Sequence, residues 1–181
     1  MVSSKEKVLA SALELAKQGG WEKVSVRKIA NSMGFSTMKI YSDFGSKENL
    51  FFEIQKKGYQ LLKEAYYDSI RRADDPTSQL ENVFMAHVQF ALEFPTYYEL
   101  MFNHKFKKYQ TQSIENKQKA CQVIFKVITD IGTTDPQTTF IHLFALLEGF
   151  IKISNELPEQ SNDFINSTIK QIAKNFISGL K

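Results

Sequence analysis

The sequence predicts an all-α fold, and three features of the chain support this. Apolar residues recur at helical spacing along almost all of its 181 residues, and no useful window alternates with period two. Only 8 glycines and 4 prolines interrupt the pattern. Apolar residues make up 43% and charged residues 24%, which is typical of a globular protein and excludes collagens, disulfide scaffolds and wholesale disorder. A chain of this length forms one domain, or two small ones sharing a core.

The N-terminal part of the chain contains four predicted helices. In the first, Val8, Ala12 and Ala16 lie on one face, and Gly19-Gly20 ends the helix. The segment Asp74-Asp75-Pro76 ends the fourth, because proline cannot continue a helix. Serines able to cap a helix precede the second, third and fourth helices. The predicted spans of these helices run from Ser25 to Gly34, from Ser36 to about Asp43 and from Ser46 to about Arg72.

The rest of the chain contains about five further predicted helices. Pro95, the stretch 132–136 and Leu157-Pro158 separate them, since glycine and proline interrupt helices. The predicted spans are roughly Ser78–Glu93, Thr96–Asn103, Gln110–Ile131, Gln137–Asn155 and Asp163–Leu180. We expect these helices to pack on one another in a bundle.

The charge of the chain is unevenly distributed. Residues 1–72 carry 13 Lys and Arg against 8 Asp and Glu, a net charge of +5, whereas residues 73–181 carry 10 against 12, a net charge of −2. The overall charge of +3 is too small to establish a nucleic-acid partner. The basic N-terminal part is nevertheless the part of the chain that suits a polyanion.

Several kinds of site are not expected. The single cysteine, Cys121, excludes intrachain disulfides and cysteine-based zinc fingers, and we expect a buried, inert thiol. His87, His104 and His142 lack the i, i+4 spacing of a metal pair, so we expect no metal and no cofactor. No activated-nucleophile pattern or phosphate-binding glycine-rich loop is present, and we therefore do not expect an enzyme.

The sequence also predicts a cytoplasmic protein with no membrane partner. The longest stretch without a charged residue, from Pro136 to Leu147, has 12 residues, whereas a membrane helix needs about 17–25. Glu6 and Glu14 interrupt the N-terminal segment, which lacks the pattern of a signal peptide.

Residues 26–45 have the spacing of a helix-turn-helix motif. Ala30 is small where two helices would cross, and Gly34 would close the first helix with a left-handed backbone. Ile40, ten residues after Ala30, would fill the angle between the helices, and the small core would be completed by Ile29, Met33 and Phe35. Such a unit holds a short helix away from the body, where it fits a DNA major groove about 12 Å wide.

The polar residues around this short helix suit contact with DNA. Lys47 begins the next helix, where its charge and the free N–H groups favour phosphate, and Ser25 and Arg27 open the supporting helix. Taken one by one, these residues are more simply explained as ordinary solvated polar side chains around a helix pair. At helix-turn-helix spacing in the basic part of the chain, they form a candidate DNA-binding set: Ser25, Arg27, Ser36, Thr37, Lys39, Tyr41 and Lys47.

The N-terminal run resembles the TetR family of transcriptional regulators. The resemblance rests on GFSTMKIYSDFGSKENLF, from Gly34 to Phe51, and on the segment from Val8 to Ala30 with its Gly-Gly-Trp turn. It implies a three-helix DNA-binding head, a long connecting helix and a helical body that dimerises and binds a small effector. It also adds Ser42 to the DNA-contact positions. The expected domains are a DNA-binding domain, 1–50, with a connecting helix, 46–72, and an effector-binding and dimerisation domain, 73–181.

The chain departs from the family pattern at two places in the motif. Met38 stands where the family often has a small residue, so base contacts around it are expected to differ. Asp43 replaces a common aromatic or histidine, and its carboxylate would repel DNA unless it is turned away or paired. The body loosely resembles a subgroup with a Trp-His-Gly signature through 94–102, but this chain has Leu147-Glu148-Gly149 at that place.

Aromatic residues are concentrated in the C-terminal part, which holds 14 of the 23. They are either ordinary core or the lining of an apolar cavity between helices. Glu148 stands in a nearly uncharged run, where a buried carboxylate would need a cationic ligand, a lysine partner or exposure at a dimer edge. The candidate effector pocket consists of Phe84, His87, Phe90, Tyr97, Tyr98, Phe102, Phe125, Phe144 and Glu148.

The last two predicted helices carry broad apolar stripes that favour a dimer interface over packing inside the chain alone. Gly149 would let two helices cross closely, and pairing of two copies would give a four-helix bundle. The candidate interface consists of Phe140, Leu143, Leu147, Phe150, Ile165, Ile169, Ile172 and Phe176.

These observations predict a homodimeric transcriptional regulator. We expect a repressor that binds a palindromic double-stranded DNA operator and is released by an unidentified small effector, largely apolar or aromatic. The alternative is a protein with the same fold that acts as a protein–protein adaptor without sequence-specific DNA binding, which the low net charge and Asp43 support.

Overall fold

The computed structural model describes residues 3–106, 109, 111–156 and 161–180, and helices account for nearly all of them. Short 3-10 helices lie at Trp21–Lys23, His104–Phe106 and Thr111–Ser113. No strand occurs in the described ranges, and the predicted all-α class is confirmed. The α-helices are α1 Ser4–Gly19, α2 Val26–Met33, α3 Thr37–Phe44, α4 Lys47–Ile70, α5 Pro76–Glu93, α6 Pro95–Phe102, α7 Ile114–Ile131, α8 Pro136–Glu156 and α9 Asn162–Ser178.

Most helix ends lie within two residues of their predicted places. Pro76, Pro95 and Pro136 are each the first residue of a helix instead of part of the preceding loop, because the first turn needs no proline N–H and the fixed φ suits a helix start. The largest difference is at α7, which begins at Ile114 after a 3-10 turn. The predicted start at Gln110 and the predicted break at Leu157-Pro158 lie outside the described residues.

Serine side chains begin the helices of the N-terminal part. The Ser3 hydroxyl accepts a hydrogen bond from the Glu6 N–H at 3.1 Å, and the Glu6 carboxylate accepts one from the Ser3 N–H at 2.7 Å. Ser25, Ser36 and Ser46 cap α2, α3 and α4 by accepting from the N–H three residues later, at 3.1–3.2 Å. These bonds satisfy N–H groups that a helix leaves without a backbone acceptor.

The chain divides into two compact units. The first consists of Met1–Tyr59 and Phe94–Asn116, and the second of Gln60–Glu93 and Lys117–Lys181. The sequence-based division had placed residues 94–116 with the C-terminal domain, whereas their contacts group them with the N-terminal part. The functional division at 1–50 and 73–181 stays a prediction.

The core of the first unit is centred on aromatic rings. Trp21 and Phe51 are each 1% exposed and meet edge to face with ring centroids 5.0 Å apart. Tyr109 also meets Phe51 edge to face, with ring centroids 4.8 Å apart. The Trp21 indole N–H donates to the Thr96 carbonyl at 2.9 Å, so the start of α6 is hydrogen-bonded to the turn before α2.

Two further contacts connect α4 to the segment 94–116. The buried Gln55 amide donates to the Leu100 carbonyl at 2.8 Å and accepts from the Ser113 hydroxyl at 2.7 Å. Gly58, in the middle of α4, lies against Met101 and Tyr97, and a Cβ at this position would be 3.0 Å from the Tyr97 ring. A glycine inside a helix costs stability, and here it permits close approach of α6.

In the second unit, α5 packs mainly against α9 and also against α8. Phe84 of α5 is fully buried and contacts the ring of Phe176 of α9 at 5.5 Å. The other fully buried apolar side chains of this unit include Leu62, Leu80, Val83, Ile124, Ile128, Leu143, Leu147, Ile169 and Ala173. No helix of the described residues is long and apolar enough to cross a bilayer.

Candidate nucleic-acid interface

The turn between α2 and α3 has the geometry that the sequence predicts. Gly34 adopts φ 66° and ψ 24°, a left-handed conformation that favours glycine. The N–H of Phe35 donates to the Ala30 carbonyl at 2.9 Å and so closes α2. Ala30 and Ile40 are each 1% exposed where the two helices pack. The turn therefore fixes the angle at which α3 leaves α2.

The side chains proposed for DNA contact lie around an exposed α3. Arg27 of α2 is exposed, and Ser25 is half-buried. Ser25 and Ser36 accept backbone N–H bonds as caps, and a hydroxyl that accepts one bond can still donate its own proton to a phosphate. The exposed members on or next to α3 are Ser36, Thr37, Lys39, Tyr41 and Ser42. The candidate residues thus lie on or next to α2, α3 and the start of α4.

Asp43 is paired with the lysine one turn earlier. The Lys39 Nζ lies 2.7 Å and 2.8 Å from the two carboxylate oxygens of Asp43, whose side chain is only 14% exposed. The repulsion expected of an unpaired carboxylate is therefore reduced. The same pair neutralises Lys39, one of the cations that the sequence predicts to contact DNA. The i, i+4 spacing of the two residues is the sequence feature that indicates such an ion pair.

Lys47 has a structural contact that the sequence did not reveal. Its Nζ donates to the Val24 carbonyl at 2.6 Å and lies 4.9 Å from the centroid of the Phe51 ring. These contacts join the start of α4 to the residue before the Ser25 cap. The predicted phosphate contact of Lys47 stays a prediction, and it requires the ammonium to share or leave the Val24 carbonyl.

Release of Lys39 from its ion pair should strengthen DNA binding. In Asp43→Asn the ammonium becomes available to a phosphate, so the slope of log Kobs against log salt should steepen by about one unit. Fluorescence anisotropy with a labelled duplex at several salt concentrations measures this slope.

The exposed Glu64 of α4 provides a control of equal charge change, Glu64→Gln, which should leave the slope unchanged. Equal steepening in both variants would mean that net charge, and not the Lys39–Asp43 pair, controls the affinity.

The candidate effector residues divide between the two units. Tyr97, Tyr98 and Phe102 belong to the first unit, where the rings of Tyr98 and Phe102 stack with centroids 4.6 Å apart. Phe84, His87, Phe90, Phe125, Phe144 and Glu148 belong to the second. Phe125 is 44% exposed on α7, whereas Phe84 and Phe90 are buried.

A polar cluster lies inside the second unit around His87, which is fully buried. The Tyr66 hydroxyl and His87 Nδ1 are 2.5 Å apart, and His87 Nε2 lies 3.7 Å from a Glu148 carboxylate oxygen. The Phe144 ring meets the imidazole edge to face at 5.6 Å. Burial lowers the pKa of His87, and the Glu148 carboxylate opposes this shift. The sequence had not identified Tyr66.

The exposure of Glu148 bears on the alternatives that its sequence context left open. Its side chain is 41% exposed, which agrees with the alternative of exposure and not with that of a fully buried carboxylate. Its carboxylate lies 3.7 Å from Nε2 of the buried His87. An apolar run around a charged residue can belong to a helix whose charged position faces outward.

Half of the predicted dimer-interface set packs within the chain. Leu143, Leu147 and Ile169 have no exposed surface and Ile165 is 7% exposed, so this part of the prediction is corrected. The remaining members are half-buried: Phe140, Phe150, Ile172 and Phe176. The exposed apolar side chains of α8 and α9 are Ile141, Leu146, Ile153 and Phe164, which are 40–57% exposed.

Neither a reactive thiol nor a metal cluster is found in the part of the chain that the structure describes. Cys121 is buried, and burial raises the pKa of its thiol to about 11, which makes it a poor nucleophile at neutral pH. Among the described residues, no group of three or more His, Cys, Asp or Glu side chains is arranged to hold a metal ion.

Comparison with known proteins finds a family match for the N-terminal segment and similar folds for the whole chain. The family model described as bacterial regulatory proteins of the tetR family matches residues 8–54. No curated protein matches the sequence. A solved structure of a protein of unknown function from Rhodococcus sp. RHA1 is similar, with 20% identity over 98% of this chain and 95% of that chain and a TM-score of 0.83.

Two similar structures are regulators by description. The TetR-family regulator PfmR from Thermus thermophilus has 18% identity over 96% of this chain and 98% of that one, with a TM-score of 0.74. FadR from Bacillus subtilis, solved with stearoyl-CoA, has 15% identity over 97% and 98%, with a TM-score of 0.76. At these identities the structures show the fold alone. The N-terminal segment, residues 8–54, thus matches the family of bacterial tetR regulatory proteins, and the chain as a whole shares the fold of these solved structures.

Proposed function

We propose that this protein is a homodimeric transcriptional repressor that places α3 of each copy in the major groove of a palindromic DNA operator. The observation that carries the proposal is the exposed surface of α3, which includes Thr37, Lys39 and Ser42 and follows directly after the left-handed Gly34 turn. In a two-fold dimer the two α3 helices must face half-sites about 34–36 Å apart, or a multiple of that spacing.

Dimerisation would use the outer face of α8. Ile141, Ala145, Gly149 and Ile153 follow one another at i, i+4 spacing, and none of them is buried. A Cβ on Gly149 would meet nothing within 4 Å in the same chain. Small residues between two exposed isoleucines suit a close helix crossing with a second copy, as expected for a four-helix interface. Phe164 of α9 is a further exposed apolar side chain for it.

The effector would be a small, largely apolar or aromatic molecule bound in the C-terminal part. Phe84, Phe90 and Phe144 supply aromatic surface in the second unit, and the His87–Glu148 pair supplies hydrogen-bonding groups. The stearoyl-CoA complex of Bacillus subtilis FadR supports an acyl-chain ligand as one class to test. A 100-fold loss of operator affinity requires an effector that favours the DNA-free state by about 2.7 kcal/mol.

Binding of the full chain to the DNA upstream of its own gene tests the proposal. We expect salt-dependent, sequence-specific binding, which Arg27→Ala should weaken while reducing the salt slope by about one unit. Lys170→Ala on α9, also an exposed cation, provides the control and should leave the slope unchanged. A panel of fatty acids, acyl-CoA molecules and aromatic compounds should contain at least one that lowers operator affinity. Unchanged affinity across the panel would contradict effector control.

The adaptor hypothesis is the second candidate, and a specific observation favours it. Lys39 is neutralised by Asp43 and Lys47 donates to the Val24 carbonyl, so two of the predicted phosphate-binding cations are engaged within the chain. An adaptor would show no salt-dependent binding to upstream or selected DNA. Sequence-specific binding of the wild-type protein would reject this alternative.

A further inference from the structure

We propose that Met38 determines part of the DNA sequence preference by contacting the C5-methyl group of a thymine in the operator. The inference rests on the proposed DNA-binding function and deepens it, because it assigns one base type to one side chain. Met38 is one of the two positions at which the motif departs from the family pattern.

The exposure and place of Met38 support this assignment. Its side chain is 78% exposed, more than any other large apolar side chain found exposed in the described residues. It is the second residue of α3, after the Ser36 cap and Thr37. In a helix-turn-helix, residues near the N-terminus of the second helix reach base edges. An apolar side chain at this place is costly to hydrate in the free protein, and base contact would remove it from water.

The chemistry of the major groove limits what a methionine can recognise. Hydrogen-bond donors and acceptors mark guanine, cytosine and adenine, whereas the methyl group of thymine is the apolar feature of the groove. The Met38 thioether is a weak acceptor and donates no hydrogen bond, so its dominant contact must be apolar. Thymine is therefore the base that a buried Met38 favours.

The neighbouring contacts favour apolar over ionic readout at this end of α3. Lys39, the next residue, is held by both oxygens of Asp43 and is thereby drawn toward the C-terminal end of the helix. Tyr41, three residues after Met38, is 50% exposed and adds the surface of an aromatic ring beside the Met38 side chain. Residues 38 and 41 thus present apolar surface, while the charge between them is paired.

The test combines a change in the protein with the loss of one methyl group in the DNA. Sites are first selected from randomised duplexes with the wild-type full chain, and each thymine of the preferred site is then replaced by deoxyuridine. For the wild-type protein we expect that loss of the methyl group at one thymine per half-site weakens binding about fourfold. This change corresponds to about 0.8 kcal/mol for one buried methyl group. Met38→Ala should bind both duplexes with equal affinity.

Matched variants separate this role from a general effect on folding. Met38→Leu keeps an apolar side chain and should retain the thymine preference, whereas Met38→Gln has similar length and should lose it. Replacement at the other thymines should affect wild-type and variant proteins equally. The inference is overturned if no replacement distinguishes wild type from Met38→Ala. If the wild-type protein selects no sequence at all, the proposed DNA-binding function fails instead, and the inference fails with it.

Discussion

Replacement of Trp21 by alanine should lower the free energy of unfolding of the first unit by about 3–5 kcal/mol. Trp21 is 1% exposed, and its ring meets Phe51 edge to face. The substitution would leave a large cavity between the turn before α2 and α4, and it would also remove the donor to the Thr96 carbonyl. Because typical domains are stable by only about 5–15 kcal/mol, this loss should also reduce DNA binding near 37 °C.

Urea unfolding followed by far-UV circular dichroism measures the effect, since Trp21 is the only tryptophan and its fluorescence disappears with it. Trp21→Phe is the matched variant, because it keeps most of the ring volume and removes the hydrogen bond to Thr96. We expect it to cost about 1–3 kcal/mol, less than alanine. Equal losses in the two variants would show that the hydrogen bond, and not packing, dominates.

The contact between Trp21 and Thr96 also shows where sequence-based prediction of domains ends. Helix ends depend on neighbouring residues, such as the Ser25 cap and the Gly34 turn, and the sequence predicted them closely. The partners Trp21 and Thr96 are 75 residues apart, and no local pattern indicates them. Residues 94–116 were therefore expected in the C-terminal domain, whereas they pack in the first unit.

The same distinction applies to the candidate DNA interface. Exposure of α3 follows from its amphipathic pattern, so the positions of Thr37 and Tyr41 were predictable. The Lys39–Asp43 pair follows from the i, i+4 spacing of the two residues along α3. The bond from Lys47 to the Val24 carbonyl depends on how α4 packs against the loop before α2, which no spacing encodes.

The apolar stripes of α8 and α9 illustrate a different limit. A helix with apolar residues on more than one side does not reveal from its pattern which stripe faces its own core. Leu143 and Leu147 pack inside the chain, whereas Ile141 and Ile153 remain exposed on the same helix. Only the packing of α5 and α9 around it distinguishes these two faces.

Acidification from pH 7 toward pH 5 should destabilise the second unit through His87. Burial lowers the pKa of His87 in the folded chain below its ordinary value of 6.5. Between the lowered folded value and 6.5, the unfolded chain binds more protons than the folded chain, so stability increases with pH. The contribution is fully present above about pH 6.5 and is lost as the pH falls through this interval, by at most about 1.4 kcal/mol per pH unit for one proton.

The groups around His87 explain why the shift has this direction. Tyr66 of α4 contacts Nδ1, Glu148 of α8 lies near Nε2, and Lys117 of α7 adds a positive charge that lowers the pKa further. The Glu148 carboxylate favours the imidazolium but is 41% exposed, so solvent weakens its attraction. The cost of a charged ring inside the unit therefore exceeds the gain from the ion pair.

Urea unfolding between pH 5 and 8 tests this balance with two histidine variants. His87→Gln should be less stable than wild type at pH 8, because the Tyr66 hydroxyl loses its imidazole partner, but it should lose the decline of stability below pH 6.5. His142→Gln should keep that decline, since His142 is exposed on α8. Burial raises the pKa of Glu99, so this residue makes the folded chain more stable as the pH falls, opposite to His87. Because Glu99 is present in every variant, the difference between the variants in the slope of stability against pH isolates the effect of His87. If the decline persists unchanged in His87→Gln, another group causes the acid sensitivity. The Glu148 carboxylate would then offset the cost of protonating the buried imidazole.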